Sequence, residues 1–369
     1  MFNNYSKVIN LNQVLKDKYN YNDSNNLQDL ATHSFIEIEG EGKDALCWIT
    51  YNNDKYLFKP LENPNKNLWG EILSQEMAKI LNIPCAEYRI ATLNNQKGVI
   101  TKSFLKKGQT LILGSEIYQE FLNKIHYQKE KAIKYKEESL PKIENKNQLF
   151  NYLNNIQSTL FILKESIQMK EKEYHDLENY FIKLLLFDII TLQEDRHANN
   201  WGMIKINKEY KPSPLYDNSS SFGLGSPFLE RKIEMFQSEK MNAKLFHDST
   251  RINNLLYHSS PNFTLSKENI IDINSRKKDI APKVLLDLLK YTKEETRNWI
   301  ISTIYTLKEI PIQSILEASE KKVGIAIDEN LAYYISDIYE LNLENLIEVI
   351  EFYRKEGNKN AVPKSFKSI

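Results

Sequence analysis

Asp195, Asn200 and Asp217 are the residues in this sequence on which a reaction could turn. A carboxylate, an amide five residues later and a second carboxylate one hairpin further on supply the oxygens that phosphoryl transfer from a nucleotide requires. One orients the attacking hydroxyl, and the other two hold a divalent metal over the phosphates. Magnesium prefers carboxylate and amide oxygens. The Asp-to-Asn spacing is that of a kinase catalytic loop. Each segment alone also reads as a polar turn, with Asp195 as a helix cap, because Asp, Asn and Ser bond readily to nearby backbone. Their order, directly after an apolar helical stretch, favours a site.

The upstream third of the chain holds candidates for the other half of that chemistry. Lys59 ends a strand-like run, Tyr56-Leu57-Phe58-Lys59-Pro60, and Glu71 follows near the start of a helical pattern. A strand lysine paired with a helix glutamate positions nucleotide phosphates in kinases. A lone strand lysine is more often simply solvated. Glu76 competes for the same role, but at 3.6 residues per turn it lies on a different helix face from Glu71. Gly40 and Gly42 could form a loop over the phosphates, although a two-glycine turn is common and no GxGxxG is present. His197, beside Asp195, reads as a hydrogen-bonding organiser of the catalytic loop and Trp201 as its packing. Ser219, Ser220 and Ser221 read as turn residues, and without a Gly-x-Ser-x-Gly elbow a hydrolase reading has no support.

Positioning these groups requires a particular order of elements. His33–Glu39, Ala45–Tyr51 and Lys55–Lys59 read as strands, with turns at Gly40–Lys43 and Asn52–Asp54. Apolar residues at 69, 72, 73, 77, 80 and 81 have helical spacing. Glu87–Leu93 and Gly98–Leu105 read as a hairpin around Asn94-Asn95-Gln96. Residues 124–147 read as a charged, solvated helix and 148–172 as a second helix, followed by an apolar helix over Leu177–Leu192. A hairpin of Met203–Ile206 and Pro214–Tyr216 then leads to Asp217. Helical spacing returns at 283–290, 296–307 and 329–354. The fold class expected is α+β: a two-lobed, protein-kinase-like arrangement with a small antiparallel sheet and one main helix in the N-lobe, and a larger, mainly helical C-lobe. The expected divisions are a leader at 1–32 with a short helix near Leu11–Lys18, an N-lobe at 33–107 and a C-lobe at 108–369. The C-lobe would hold a catalytic loop at 193–202 and a metal-binding loop at 215–223.

Composition narrows the class. Hydrophobic residues make up 41% and charged residues 27% of 369 residues, which excludes a wholly disordered chain. Lys+Arg and Asp+Glu both total 49, so there is no clear sign of nucleic-acid binding. Two isolated cysteines, Cys47 and Cys85, give neither a metal signature nor a disulfide framework. The longest apolar stretch, broken by Lys183 and Asp188, is too short to be a transmembrane segment. The N-terminus lacks signal-peptide features. A cytoplasmic location is expected, and a translocated effector without a classical signal would look the same.

The stretch Asp195-Arg196-His197-x-x-Asn200-Trp201-Gly202, with Leu215-Tyr216-Asp217-Asn218-x-Ser220, resembles the catalytic and metal-binding segments of the HipA-like serine/threonine kinases. Their fold is related to that of the phosphatidylinositol 3- and 4-kinases. Tyr56–Pro60 and Glu71–Pro84 are similar to the family's ATP-lysine strand and following helix. The resemblance implies ATP and Mg2+ as cofactors. It also implies Asp195 as catalytic base, Asn200 and Asp217 as metal ligands, and Lys59 on the phosphates with Glu71 paired to it. Backbone around Lys102–Leu105, with Ser103 and Phe104, would form the adenine hinge. HipA toxins carry a sizeable N-terminal subdomain where about 30 residues stand here, which argues against an antitoxin-type partner. A protein substrate is expected, its identity unknown. A lipid or small-molecule kinase is the alternative, with Ser275-Arg276-Lys277-Lys278 and Lys106-Lys107 as the basic stretches it would use. A catalytically inactive binding module is the second alternative, opposed by the intact Lys59, Asp195, Asn200 and Asp217.

Overall fold

The computed structural model describes residues 8–14, 36–39, 46–61, 64–131, 150–151, 153–167, 171–207, 209–225, 261–265 and 281–356. Gly40, Gly42 and the basic stretch at 275–278 lie outside them, as do most of the leader and much of the charged segment at 124–147.

Six strands form the first sheet: β1 (Ile9–Asn10), β2 (Ile36–Glu39), β3 (Leu46–Tyr51), β4 (Asp54–Pro60), β5 (Tyr88–Leu93) and β6 (Gln96–Lys102). Their order is β1-β5-β6-β4-β3-β2. All pairings are antiparallel except β1 on β5. Asn-Asn dipeptides close two of the hairpins. Asn52 and Asn53, and Asn94 and Asn95, all have positive φ, between 49° and 66°. Tight hairpins need two left-handed residues at the turn, and asparagine tolerates that conformation better than most. Alternation along β4 sends Tyr56 and Phe58 into a small core with Ile9, Cys47, Ile49 and Ile100. Lys59 therefore belongs to the opposite face of the pleat.

Helix α1 (Pro64–Ile80) follows β4. It begins five residues before the apolar spacing suggests, with Pro64 at its start, where a missing N–H costs nothing. Leu68, Trp69, Ile72, Leu73, Met77 and Ala78 are buried. Gln75 from the same helix accepts the Tyr88 N–H at 2.7 Å, fixing the start of β5. The expected order of three strands, one helix and two strands is present, with β1 added at the edge.

A second sheet has the order β7-β8-β9: β7 (Gln109–Leu113), β8 (Gly202–Ile206) and β9 (Glu209–Pro212). The hairpin partner of β8 is thus 209–212 rather than Pro214–Tyr216. The chain turns immediately after β8, at Asn207 with φ 55°. Residues 213–216 instead run beside the segment that leads into β5, where Leu215 bonds to the backbone on either side of Cys85: its N–H to Pro84 at 2.8 Å and its carbonyl from Ala86 at 2.7 Å. That stitch places Asp217 beside the first sheet.

The rest is helical: α2 (Gly114–Lys131), α3 (Ile156–Ile167), α4 (Glu171–Thr191), α5 (Ala281–Tyr291), α6 (Glu294–Lys308), α7 (Ile312–Val323) and α8 (Glu329–Glu356). Asn155 caps α3 by accepting the Ser158 N–H at 2.9 Å. The apolar half of α4 is buried from Leu177 onward, and α8 packs along α5 and α6. Helix α7 has apolar residues at 312, 315, 316 and 323, stops at left-handed Gly324, and packs against α1. This mixed α+β architecture, an antiparallel-rich sheet with one main helix and a helical C-terminal part, is the fold class expected. Among the described residues no helix is long and apolar enough to cross a membrane.

Candidate active site

Buried helix α4 ends at Thr191, and the next residue, Leu192, takes a left-handed turn (φ 53°) into the segment Gln193–Trp201, in which Asp195 and Asn199 are exposed and Gln193, Arg196, Asn200 and Trp201 are buried. The segment is held by its own hydrogen bonds. The Asn200 Nδ2 donates to the Asp195 carbonyl at 2.7 Å, and the Asn200 N–H donates to the His197 carbonyl at 2.9 Å. With Nδ2 turned inward, Asn200 Oδ1 is the free acceptor of that amide among the described residues. His197 Nδ1 accepts the Asn199 N–H at 3.2 Å, and its Nε2 lies 3.9 Å from Asp195 Oδ1. Trp201 is buried, donates to Asn154 Oδ1 at 3.0 Å, and packs against Tyr118, Phe181 and Phe263.

Asp217 stands opposite. Lys59 Nζ donates to its Oδ1 and lies 3.9 Å from Glu71 Oε1. The other glutamate oxygen, Oε2, accepts the Asn218 N–H at 2.9 Å. Glu71 therefore ties α1 to the loop that carries Asp217. That approach is close: a Cβ on Gly70 would lie 2.2 Å from the Ser219 carbonyl oxygen, so only glycine fits there. Glu76 faces away and pairs with Lys79 at 2.8 Å and Lys322 of α7 at 3.2 Å.

Burial sets the electrostatics. Glu71 is wholly enclosed, which pushes its carboxyl up to about 7, although Lys59 pulls the other way. Burial alone would lower Lys59, but Asp217 and Glu71 outweigh it and hold the ammonium above its usual range. Partial burial raises Asp195, with Asp217 adding to the rise and His197 and Lys59 opposing it. Asp195 stays 54% exposed, open to an incoming group.

Under this surface lies a network that sequence spacing did not single out. Arg196 is fully buried. Its guanidinium grips Asp188 of α4 at 2.9–3.3 Å and donates to the Asn200 carbonyl at 2.9 Å, the Tyr216 carbonyl at 3.0 Å and Asn218 Oδ1 at 2.6 Å. The pair keeps Arg196 cationic, while burial pushes Asp188 up to about 6 against the pull of the guanidinium. Gln193 and Tyr88 also reach the Asp217 backbone. Arg196 and Asn218 stand in the two segments that carry the family resemblance, and Asp188, a charge inside an apolar helix eight residues before Arg196, is the further signal in the sequence.

The hinge candidates are divided. The Ser103 N–H donates to the Lys55 carbonyl at 2.9 Å, and the Phe104 ring stacks on Tyr216 at 6.1 Å. The Lys102 ammonium is held by Asp54 at 2.7 Å, so only its backbone remains to serve such a role.

The donor set fits magnesium and nucleotide phosphates. Asn200 Oδ1 and the Asp217 carboxylate are hard oxygen donors of the kind magnesium takes, and Lys59 is a cation beside Asp217. Among the described residues no cluster of three or more His, Cys, Asp or Glu could hold a metal. A site of two protein oxygens suits magnesium, which keeps waters and phosphate oxygens as its other ligands. Glu71 Oε1, buried without a hydrogen-bond partner, is an acceptor to which a shifted Lys59 could turn.

Comparison with known proteins places this fold in a class. A profile of the HipA-like C-terminal domain matches residues 29–272. The chain belongs to that family. Among solved structures it is similar to the Helicobacter pylori proinflammatory kinase CtkA, with a TM-score of 0.59 and 16% identity over 88% of this chain and 98% of that one. It also matches HipA of Shewanella oneidensis MR-1, solved with HipB and operator DNA in a toxin–antitoxin system, with a TM-score of 0.43 and 14% identity over 92% of this chain and 69% of that one. No match is found among curated proteins.

Proposed function

We propose that this protein is an ATP- and magnesium-dependent kinase acting on a serine or threonine hydroxyl of a protein. The observation that carries the reading is a convergence. Lys59 from β4, Glu71 from α1, Asp195 and Asn200 from one loop, and Asp217 from another come together in one cluster although 158 residues separate the first from the last. Membership of the HipA-like family supports the same reading at the level of kinase-type chemistry.

Each residue has a task in such a transfer. Asp195, exposed and raised by partial burial, accepts a hydrogen bond from the substrate hydroxyl and takes its proton as the hydroxyl oxygen bonds to the γ-phosphorus of ATP and the bond to the bridging oxygen breaks, with ADP leaving. Asn200 Oδ1 and Asp217 would hold the metal, which when bound neutralises charge developing on the transferred phosphoryl group. Lys59 leaves Asp217 for the phosphates, and Glu71, 3.9 Å away, keeps the ammonium in the cleft. His197 braces the loop through the Asn199 N–H rather than moving a proton. The backbone past Lys102 would line the adenine edge, and Gly40 and Gly42 would cover the phosphates.

Transfer of labelled phosphate from ATP by the purified protein tests the reading. It is assayed with and without Mg2+, against a protein lysate and against lipid vesicles. Magnesium-dependent labelling of protein on serine or threonine is expected. Labelling of lipid alone would move the substrate class, and magnesium-independent or absent nucleotide binding would sink the kinase reading.

A further inference from the structure

The Gln193 side chain is buried between the two loops that carry the candidate chemistry. Its Oε1 accepts the Asp195 N–H at 3.1 Å, and its Nε2 donates to the Asp217 carbonyl at 3.3 Å. The amide can be oriented in only one way, because an N–H on one side needs an oxygen and a carbonyl on the other needs a donor. One side chain thus joins the backbone of the residue that faces the hydroxyl to the backbone of the residue that would hold the metal.

Asp217 has a reason to need such a hold. Its φ is 54°, in the left-handed region that side-chain-bearing residues adopt at a cost. A residue persists there only when its surroundings over-determine it. Both backbone poles of Asp217 are fixed by side chains from elsewhere: the N–H by Tyr88 Oη of β5 at 3.2 Å, the carbonyl by Gln193. The next residue is fixed in turn, since the Asn218 N–H donates to Glu71. Of these tethers, Gln193 alone also bonds to the Asp195 backbone.

We infer that Gln193 is a positioning residue that couples the two loops, setting the Asp217 carboxylate for metal and the Asp195 carboxylate for the hydroxyl through one amide. The inference rests on the kinase reading above and goes beyond it, since neither the family motif nor the ion-pair logic requires a group at 193. Losing the bridge frees Asp217 to leave the left-handed conformation and lets the Asp195 loop move independently. Both metal affinity and the chemical step should suffer together.

The test uses full-length protein and compares Gln193→Met, which keeps the volume and removes both hydrogen bonds, with Gln193→Glu, which keeps an acceptor for Asp195 and loses the donor to Asp217. Asn342→Leu serves as control. It removes an equally buried amide that donates to the Ile189 and Ile190 carbonyls at 3.0 Å, outside the site. Magnesium-dependent ATP turnover is measured across a Mg2+ titration at saturating ATP, alongside melting temperature and exchange of the Asp195 amide. In Gln193→Met the Mg2+ concentration for half-maximal rate should rise, and kcat at saturating Mg2+ should fall, each by about 10- to 100-fold, as for groups that orient metal ligands. Gln193→Glu should shift the Mg2+ requirement similarly while retaining Asp195 amide protection. Asn342→Leu should lower the melting temperature and leave the Mg2+ requirement unchanged. If Gln193→Met changes only the melting temperature, as the control does, Gln193 is a core residue and the inference is wrong. If neither Gln193 variant folds, the same conclusion holds. Wild-type protein that binds no magnesium–nucleotide would instead overturn the underlying kinase reading, and with it this inference.

Discussion

Arg196 and Lys59 each have an aspartate partner, Asp188 and Asp217, yet their surroundings differ in every respect that matters for chemistry. Arg196 and Asp188 are wholly buried, and the guanidinium also fills hydrogen bonds to Asn200, Tyr216 and Asn218. Lys59 and Asp217 keep 27% and 36% of their side-chain surface in solvent, and the third member, Glu71, has an oxygen without a hydrogen-bond partner. A buried ion pair is tolerable when every polar atom is satisfied. The Arg196 pair meets that condition and acts as scaffold, holding the ends of both loops. The Lys59 group does not meet it, and incomplete pairing is what a cleft awaiting phosphates and a cation would show.

Breaking the scaffold should have the largest effect. Arg196→Met leaves Asp188 enclosed without a partner, and loss of one member of a buried pair costs about 3–5 kcal/mol. Lys59→Met, at a part-exposed position, should cost less stability than Arg196→Met, because the Glu71 carboxyl it leaves behind still accepts the Asn218 N–H, while nucleotide binding should be abolished. Urea unfolding of the two variants decides the matter. Equal destabilisation would erase the distinction between scaffold and working site.

Asp195→Ala sharpens the contrast from the other side. Its carboxylate takes part in neither ion pair, so folding and magnesium–nucleotide affinity should survive. Phosphoryl transfer should fall by about 10²–10⁴, the usual contribution of a positioned base. Transfer at the wild-type rate would remove Asp195 from the chemistry. Asp217→Ala should act on metal instead. Ligand at about 100 times its Kd stabilises a native protein by roughly 2.7 kcal/mol, and most of the extra thermal stability that Mg2+ confers in the presence of ATP should vanish in the variant. An undiminished increment would place the metal elsewhere.

The same contrast explains what the sequence could reveal. Lys59, Glu71, Asp195, Asn200 and Asp217 are legible because local rules place them: a strand end, a helix face and a fixed loop spacing. The Asn-Asn hairpins are legible for the same reason. Gln193 and Tyr88 escape because they act on backbone groups brought near by tertiary folding, and a backbone group carries no sequence signature. Arg196 stands in the Asp-Arg-His stretch, but nothing in the spacing shows that Asp188 and Asn218 are its buried partners. Strand β1 has two residues and a parallel partner, and β7 pairs with β8 across some 90 residues, so neither leaves a local pattern. Helix α7 did leave one, an apolar stripe from Ile312 to Val323, and could have been found.

The two glutamates of α1 offer the finest test, because they share a helix and differ only in the face they occupy. Glu71 is enclosed and raised to about 7, whereas an unfolded glutamate titrates near 4.3. Between those values the folded protein holds a proton that the unfolded chain has released. The group's contribution to stability is therefore full below about pH 4.3 and is lost as pH rises through about 7. Asp188 and Asp195 are raised too and tilt the curve the same way, but they remain in a Glu71→Gln variant. The difference between wild type and variant isolates Glu71. Denaturation at pH 5 and pH 8 should show wild type losing on the order of 1–3 kcal/mol more than Glu71→Gln over that interval. The same variant should depress phosphoryl transfer, since an amide holds the Lys59 ammonium less firmly. Glu76 is partly exposed and lowered, with Lys79 and Lys322 outweighing the upward push of burial. Glu76→Gln should cost no more than about 1 kcal/mol, carry no such pH signature and leave transfer near wild type. The opposite ranking in transfer would mean that α1 presents its other face to the cleft when nucleotide is bound, and the Lys59–Glu71 pairing would have to be abandoned.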